Sequence, residues 1–349
     1  METATGKPVF DTTGKSVAQV GVVVRDAVAS AREFSRIFGM GPWTFFDSVV
    51  EGGTLHGERI ADGSSCVRLA SANLGALEFE LLQPVYGRSS HREFLETCGE
   101  GIHHISLGAI DDHDRFVSAL SGYGIELEMN GISSGVVPFS YMGTQRQLGT
   151  IFEASQPVSQ EMLGALSPWG SYEATEPGLI NLEGKKIAQI GFVVADVEKI
   201  ARNYWEIFGI GPWTFLDYKP PVASMDCLHG VPVFEGTNFH IKVALADFNG
   251  MKLELIQPVE GPTPHMDFLK TRGPGVHHLS FDAVDDHDQL VAALGSSGIQ
   301  VEMSGIVGGA ARYTYLATQN SLHTILECVK TTPGMESTAM PYGIYPPGV

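Results

Sequence analysis

A long internal repeat limits what this chain can fold into more than any other feature. The segment VAQVGVVVRDAVASAREFSRIFGMGPWTFFD at Val17–Asp47 returns as IAQIGFVVADVEKIARNYWEIFGIGPWTFLD at Ile187–Asp217, an offset of 170 residues. Further on, LEFELLQPVYG and GEGIHHISLGAIDDHD return as MKLELIQPVEG and GPGVHHLSFDAVDDHD, now offset by 174 residues. The second copy has therefore gained four residues, in the loop-like region after GPWTF. A repeat of this length predicts two copies of one folded module in tandem.

The repeat also predicts the domain boundaries. The first module is expected over residues 1–154 and the second over residues 185–329. Residues 155–184, which contain Pro, Ser and Gly, are expected to form a linker. Residues 330–349 are rich in Pro and Gly, and we expect an irregular C-terminal tail there.

Each copy begins with the pattern of a strand followed by an amphipathic helix. AQVGVVV is a short apolar run that predicts a strand, and Asp26 then stands where a helix N-cap is expected. The apolar side chains at helical spacing after it are Val28, Ala31, Phe34, Ile37 and Phe38. Gly39 follows them, as expected where a helix ends in a left-handed residue. Asp196 and Gly209 repeat these two signals in the second copy.

The rest of each copy is predicted to be mostly strands. In the first copy CVRLASA, ALEFELLQ and HHISLGA predict strands, and the DDHD segment at Asp111–Asp114 is expected to cap a second helix. Further strands are expected around Ile125–Met129, Phe139–Met142 and Gly149–Ala154. Each copy is thus two βαβββ units, and the chain holds four. The predicted fold class is α+β.

The bulk composition excludes several kinds of partner. The net charge is −18, so nucleic acid and anionic membranes are poor partners, because a negative surface repels both. No apolar run is long enough for a membrane span, and the N-terminus lacks the apolar core of a signal peptide. The four cysteines show no CxxC spacing. A reducing cytoplasm is therefore the expected location.

Four polar residues interrupt otherwise apolar strands in each copy. Burying a charged carboxylate in a strand costs roughly several kcal/mol of folding free energy unless a partner offsets its charge. A shared divalent cation would offset several such residues at once. Mixed nitrogen and oxygen donors suit Zn²⁺, Ni²⁺, Co²⁺, Mn²⁺ or Fe²⁺ better than Ca²⁺. The residues are Gln19, Glu80, His104 and Glu153 in the first copy and Gln189, Glu254, His278 and Glu327 in the second.

Over most of both modules, this pattern resembles the vicinal oxygen chelate superfamily. The segments ELLQPVYG and FLETCGEGIHHISL are similar to sequences of methylmalonyl-CoA epimerases. The order of the four polar residues along the chain, Gln, Glu, His and Glu, resembles that of the ligands in eukaryotic glyoxalase I. The resemblance implies that each pair of βαβββ units curls into a sheet around a metal held by the four residues named for that copy. It also implies that the last glutamate of each set, Glu153 or Glu327, serves as the catalytic base.

The function that this resemblance implies is that of a metal-dependent epimerase, isomerase or glyoxalase-like lyase. The expected substrate is a small carbonyl or hydroxy-carbonyl metabolite, which would react through a metal-bound enolate or enediolate. Two differences point to a substrate other than a coenzyme A ester or glutathione. Gln19 and Gln189 stand where an epimerase carries histidine. Val23 and Val193 stand where glyoxalase I anchors glutathione with arginine.

Two other functions stay open from the sequence. One is an extradiol ring-cleaving dioxygenase, which uses two histidines and one carboxylate on Fe²⁺. The other is a metal-free small-molecule binding protein of the bleomycin-resistance type. The ligand set favours Zn, Ni, Co or Mn over Fe. A monomer and a homodimer are both compatible with the repeat, and the sites form either within a module or by exchange of half-modules.

Several recurring residues have more ordinary explanations. GPWTFF and GPWTFL fit a turn followed by a packed strand. By strand alternation His103 and His277 are expected to pack or hydrogen-bond behind the site. His91 and His265 are expected on loops, where they either line the pocket or pack.

Overall fold

The computed structural model describes residues 8–10, 12–164, 166–234 and 237–348, which fold into two compact units. One unit consists of Val9–Arg146 and Thr150–Gly178, and the other is built mainly from Leu179–Val349. Each unit contains one sheet, whose strands come from one copy of the repeat. No helix within the described ranges is long and apolar enough to cross a membrane.

In the first unit the strands and helices alternate as two βαβββ units, with a short helix between them. The elements are β1 (Gln19–Val23), α1 (Ala27–Phe38), β2 (Trp43–Leu55), β3 (Glu58–Arg59), β4 (Cys66–Leu74), β5 (Leu77–Tyr86), α2 (Ser90–Thr97), β6 (Gly101–Ala109), α3 (His113–Ser121), β7 (Leu127–Ser133), β8 (Val137–Met142), α4 (Gln145–Leu148), β9 (Ile151–Ser155), α5 (Gln160–Leu163) and β10 (Gly170–Tyr172).

The first sheet curls until it closes. Its strand order is β10-β2-β4-β5-β1-β6-β9-β8-β7, and β7 pairs again with β2. The two unit-opening strands, β1 and β6, lie side by side and antiparallel at the centre, and each pairs in parallel with the last strand of its own unit. The predicted α+β class and curled sheet are therefore confirmed.

The second unit repeats this arrangement. Its elements are β11 (Ile187–Val193), α6 (Val197–Phe208), β12 (Trp213–Tyr218), β13 (Ala223–Leu228), β14 (Val231–Pro232), β15 (His240–Phe248), β16 (Met251–Glu260), α7 (Pro264–Arg272), β17 (Gly275–Phe281), α8 (His287–Ser296), β18 (Val301–Val307), β19 (Ala311–Leu316), α9 (Gln319–Leu322), β20 (Ile325–Thr331) and β21 (Gly343–Tyr345). The sheet order is β14-β13-β18-β19-β20-β17-β11-β16-β15-β12-β21.

The residues added in the second copy divide one strand into two. Where the first copy has the continuous strand β2, the second has β12 and β13, separated by Lys219–Val222. Pro220 and Pro221 lie in this break and have no N–H to donate to a neighbouring strand. In the sheet order β12 and β13 stand near opposite ends and do not pair, so this sheet lacks the closure that β2 gives the first.

The segments expected to be a linker and an irregular tail each contribute a strand. Gly170–Tyr172 (β10) pairs with β2, and Gly343–Tyr345 (β21) pairs with β12. Each added strand pairs with the strand that contains the GPWTF segment of its own unit. Without it, the free edge of that strand would present unpaired backbone N–H and C=O groups. Composition did not indicate these strands, because the edge that they cover exists only in the folded sheet. The domain boundaries themselves remain a prediction.

The first helix of each module begins and ends as its sequence predicts. The Asp26 carboxylate accepts hydrogen bonds from the backbone N–H groups of Val28 and Ala29, and Gly39 ends the helix at φ 66°. In the second module Asp196 accepts from Lys199, and Gly209 has φ 67°. Trp43 and Trp213 of the GPWTF segments are fully buried, as expected for packed strands.

Two local predictions need correction. Asp112 lies at the N-cap of α3, but its side chain makes no capping hydrogen bond, so the DDHD segment marks the helix start without capping it. His91 and His265 lie in the first turns of α2 and α7 and not on loops. Ser89 and Thr263 cap these helices by accepting from the N–H three residues on. Both helices are short, so the helical periodicity was too brief to identify them.

The contrast between the two caps of the first module gives a test. Asp26→Ala removes two hydrogen bonds to the helix N-terminus, and we expect it to lower the free energy of unfolding by about 1 kcal/mol. Asp112→Ala removes none, so a loss of no more than about 0.5 kcal/mol is expected. Urea denaturation followed by circular dichroism measures both. Equal losses in the two variants would contradict the assigned caps.

Candidate metal centre

The four predicted ligands of each module come from four neighbouring strands. In the first module the order β5-β1-β6-β9 places Glu80, Gln19, His104 and Glu153 on adjacent central strands. The pairings Gly21↔Glu80 and Gly21↔His104 fix the register around β1, and Ser106↔Glu153 fixes that of β9. The structure therefore brings all four together within one copy, without exchange of half-modules between the two copies.

In the first module two carboxylates converge on one imidazole. Nε2 of His104 lies 3.5 Å from Oε2 of Glu153 and 4.0 Å from Oε2 of Glu80. The Gln19 amide donates to Oε2 of Glu78, 3.3 Å away, and its carbonyl oxygen is buried without a hydrogen-bond partner in the described part of the chain. Glu78 also accepts from the hydroxyl of Ser71.

The second module gathers the same groups more tightly. Nε2 of His278 lies 3.2 Å from Oε2 of Glu254 and 3.5 Å from Oε2 of Glu327. The Gln189 amide donates to both carboxylates, at 2.9 Å to Glu254 and 3.4 Å to Glu327. One potential ligand atom from each of Glu254, His278 and Glu327 lies within 4.8 Å of the others.

Burial disfavours the charged form of the carboxyl groups in both clusters. It raises the pKa of Glu80 well above its usual value, and the Glu153 and Glu78 carboxylates raise it further. Burial, with Glu78, also raises the pKa of Glu153 to about 7. In the second module burial and Glu254 raise the pKa of Glu327, against the opposing effect of His278. Without a cation, the protein disfavours the charged form of these carboxylates.

The two imidazoles respond differently to their surroundings. Burial holds the pKa of His104 well below its usual value. Burial also acts to lower the pKa of His278, but the carboxylates of Glu254 and Glu327 outweigh it, and the pKa is raised. The difference follows from distance, because Glu254 lies closer to His278 than Glu80 does to His104.

A glycine on the first strand leaves room for each imidazole. A Cβ placed on Gly21 would lie 2.0 Å from Cε1 of His104, and one on Gly191 would lie 2.0 Å from Cε1 of His278. These distances are far below van der Waals contact. The ring therefore lies directly against the backbone of the neighbouring strand, where only glycine fits.

A β-bulge brings the two histidines of each HH pair into contact with each other. Gly21 pairs with His104 and the next residue, Val22, pairs with Ile102, so His103 is the extra residue of the bulge. The second module repeats this with His277. Strict alternation breaks at this point, and Nδ1 of His103 lies 3.1 Å from Nδ1 of His104. The corresponding distance between His277 and His278 is 3.2 Å.

This contact suits a ligating histidine. Either ring can donate across it, because the direction depends on the tautomer. A metal-binding Nε2 must carry no proton, so with a metal bound Nδ1–H of His104 would donate to Nδ1 of His103 and orient the ring. The same would hold for His278 and His277.

The other recurring histidines and tyrosines surround this pair. The ring centroid of His91 lies 4.8 Å from that of His103, and the ring of His265 lies 4.5 Å from that of His277. Burial lowers the pKa of both His91 and His265 to about 3, so they are neutral packing groups. One ring nitrogen from each of His91, His103 and His104 lies within 4.8 Å of the others, and the same holds for His265, His277 and His278, so these two clusters are also geometrically able to hold a metal ion.

The sequence did not place three groups that contact the ligands. The hydroxyls of Tyr141 and Tyr315 hydrogen-bond Glu153 and Glu327, which are their cross-strand partners. Glu78 is the third, and it holds the Gln19 amide. Its position two residues before Glu80 places both on one face of a strand, which is the signal that would have indicated it.

The donor set and its burial fit a divalent cation. Each module offers one imidazole nitrogen, two carboxylates and an amide side chain, the mixed donors of a Zn²⁺, Mn²⁺ or Fe²⁺ site. The buried Gln19 carbonyl oxygen and the buried Nε2 of His104 have no hydrogen-bond partner in the described ranges. Such atoms cost free energy unless a ligand binds them.

The glycine that accommodates each imidazole gives a test within the second module. Gly191→Ala forces His278 aside, and we expect a loss of about 1–3 kcal/mol in the free energy of unfolding, as for other overpacked sites. Gly295→Ala is the matched control, because a Cβ there meets nothing within 4 Å in helix α8. It should be neutral or stabilise by up to about 1 kcal/mol. Chemical denaturation that ranks the two variants the other way round would contradict this packing.

Comparison with known proteins supports the fold and the repeat. The sequence model of the Glyoxalase/Bleomycin resistance protein/Dioxygenase superfamily matches residues 18–140 and 188–316. The match occurs once in each module, and together the two ranges cover more than half of the chain. The chain therefore belongs to this superfamily. The matched ranges include Gln19, Glu80 and His104 and their counterparts but end before Glu153 and Glu327. No curated protein matches the chain.

The fold is supported by a solved structure whose TM-score exceeds 0.5. A triple mutant of 4-hydroxymandelate synthase from Streptomyces coelicolor is 14% identical, with a TM-score of 0.55 over 92% of this chain and 94% of that one. The Mn(II)-bound glyoxalase from Novosphingobium aromaticivorans is 15% identical, with a TM-score of 0.45 over 90% and 82%. Methylmalonyl-CoA epimerase from Mycobacterium tuberculosis is 21% identical over 42% of this chain and 87% of that one, with a TM-score of 0.30. At these identities the likeness concerns the fold alone.

Proposed function

We propose that this protein is a metal-dependent enzyme that moves a proton next to a carbonyl group, as an epimerase, an isomerase or a glyoxalase-like lyase does. The observation that carries the proposal is the convergence of two carboxylates on one buried imidazole nitrogen, repeated in both modules. The carboxylates are buried in the second module and half-buried in the first. Such a cluster is costly in an apolar sheet unless it binds a cation. A protein that only bound small molecules would gain nothing from burying it twice.

The proposed ligands are those that the sequence indicated. Gln19, Glu80, His104 and Glu153 would hold one metal, and the second would be held by Gln189, Glu254, His278 and Glu327. When bound, the metal would polarise a carbonyl oxygen and lower the pKa of the neighbouring C–H. Zn, Ni, Co or Mn suits these donors, and Fe is the less favoured choice.

Glu153 and Glu327 are the proposed bases. Each lies 3.5 Å from the ligand histidine, and each accepts a hydrogen bond from a tyrosine hydroxyl. The tyrosine fixes the direction of the carboxylate, so one oxygen is held while the carboxyl group takes a proton from substrate and returns it. Return to the other face gives epimerisation, and return to the adjacent carbon gives isomerisation.

Metal content tests the ligand assignment directly. Elemental analysis of protein purified without chelators or a histidine tag should find about two divalent ions per chain, one for each complete ligand set. His104→Ala and His278→Ala should each lower the content to about one. The surface variant His56→Asn should leave it unchanged, because His56 is exposed and lies outside both clusters.

The other metal outcomes would change the proposal. Iron as the bound metal would favour the extradiol dioxygenase alternative. No metal as purified and none taken up on addition would leave the metal-free binding protein as the better account.

Solvent exchange tests the two bases. We expect the protein to exchange an α-proton of at least one member of a panel of small keto and hydroxyketo compounds in D₂O, as followed by NMR. Glu153→Gln combined with Glu327→Gln should slow this exchange at least about 100-fold, the usual contribution of a general base. Each single variant then reports which module is active.

Two controls make the exchange result specific. Glu161→Gln combined with Glu336→Gln alters two exposed carboxylates and should exchange at the wild-type rate. The metal content of the base variants is measured in parallel, because the same carboxylates are proposed ligands. Full exchange in the double base variant with its metal retained would exclude this role.

A further inference from the structure

The second module contains a cavity that ends at its carboxylates. Its volume is about 170 Å³, and Gln189, Glu254 and Glu327 line one part of it. Apart from the His265 imidazole, the rest of its wall is mainly apolar and aromatic, and includes Phe239, Ile241, Met303 and Tyr313. No lysine or arginine belongs to that wall within the described ranges. The charged cluster and an apolar space are therefore parts of one site.

At four positions of this wall the first module has serine instead. Strand register defines the equivalence: Ser71 pairs with Glu80 as Leu245 pairs with Glu254, and Ser133 pairs with Val137 as Val307 pairs with Ala311. By the same reasoning Ser48 corresponds to Tyr218 and Ser155 to Val329.

Three of these serines are engaged with polar partners of their own module. The hydroxyls of Ser48 and Ser133 hydrogen-bond each other at 2.6 Å, and Ser71 donates to Glu78. The corresponding side chains of the second module, Tyr218, Val307 and Leu245, line its cavity. At these positions the first copy therefore has small polar side chains where the second has apolar or aromatic ones.

Size and charge define what the second cavity accepts. An engineered cavity of about 150 Å³ lined by apolar side chains binds benzene, so this space fits one six-membered ring with a few further atoms. Without a metal, an anion would meet Glu254 and Glu327 with no lysine or arginine in the wall to offset them. With a divalent cation bound, the two carboxylates are neutralised and the site carries no net charge to attract a charged ligand. The hydroxyl of Tyr313 already donates to the Ser224 carbonyl at 3.0 Å, so this ring contributes apolar surface.

We propose that the second module binds a small uncharged compound with an aromatic or branched aliphatic body, whose carbonyl end points towards Gln189, Glu254 and Glu327. This inference rests on the proposed function for one point, that a metal neutralises the two carboxylates. The apolar selection itself depends only on the wall. The first module, with serines in place of Tyr218, Leu245 and Val307, does not select such a body.

Isothermal titration calorimetry of the full-length, metal-loaded protein tests the proposal. The probes are acetophenone, its cationic counterpart 1-phenylethylamine and the anion benzenesulfonate. We expect saturable binding of about one acetophenone per chain, at least about tenfold tighter than either charged probe, because a desolvated charge finds no partner in the wall. Tighter binding of the amine, equal binding of the sulfonate, or no saturable binding of acetophenone would overturn the proposal.

Exchange of wall residues between the modules locates the binding. Leu245→Ser and Val307→Ser introduce the residues of the first module and should each weaken acetophenone binding about tenfold, by removing apolar contact. The matched control is Val137→Ala in the first module, which should leave the affinity unchanged. A stoichiometry of two, or loss of binding only in the control, would contradict the assignment to the second module.

A further variant and a metal-free titration separate this inference from the proposed function. Ala223→Val places in the cavity the residue that the first module carries as Val50, and should weaken binding even if a serine variant folds poorly. Acetophenone binding that persists in metal-stripped protein and still weakens in Ala223→Val supports the cavity by itself. Absence of metal or of solvent exchange then counts against the proposed function alone.

Discussion

Burial of carboxylates beside an imidazole on central strands is the constraint on which the rest of the structure depends. Glu80, Glu153 and His104 lie where a sheet would ordinarily place apolar side chains, and burial raises the pKa of both carboxyl groups. The fold meets this cost locally. Glycine at position 21 gives the ring its space, Nδ1 of His103 hydrogen-bonds Nδ1 of His104, and Tyr141 interacts with one carboxylate. The second module meets it with the equivalent residues.

The two modules share a scaffold and differ in what surrounds the ligands. Registers, the glycine, the bulge and the tyrosine recur at equivalent positions. Glu78 of the first module is replaced by Lys252, which is exposed and lies 3.8 Å from Asp282. The Gln19 amide consequently binds Glu78, whereas the Gln189 amide binds Glu254 and Glu327. Because the cavity wall also changes from serine to apolar residues, the two sites are suited to different ligands.

The local elements were predictable where short-range chemistry decides them. Asp26 and Gly39 predicted the first helix because capping and left-handed termination involve neighbours in sequence. The same reasoning wrongly predicted that the DDHD segment caps a helix, because Asp112 stands at the start of α3 but its side chain makes no capping hydrogen bond. It also missed α2, whose eight residues make only about two turns and leave no clear periodicity. The strands β10 and β21 were missed because composition does not show which sheet edge a Pro- and Gly-rich segment will cover.

The sequence by itself determined the tandem repeat, the strand–helix order and the eight polar residues proposed as ligands, because all of these are written as patterns along the chain. Only the tertiary structure decided how they meet. The β-bulge turns His103 towards His104 against strand alternation, and adjacent strands bring Glu78 to the Gln19 amide. The apolar cavity likewise depends on side chains from Tyr218 to Val329, far apart in sequence. Such contacts follow from sheet register and closure, which depend on pairing between distant strands.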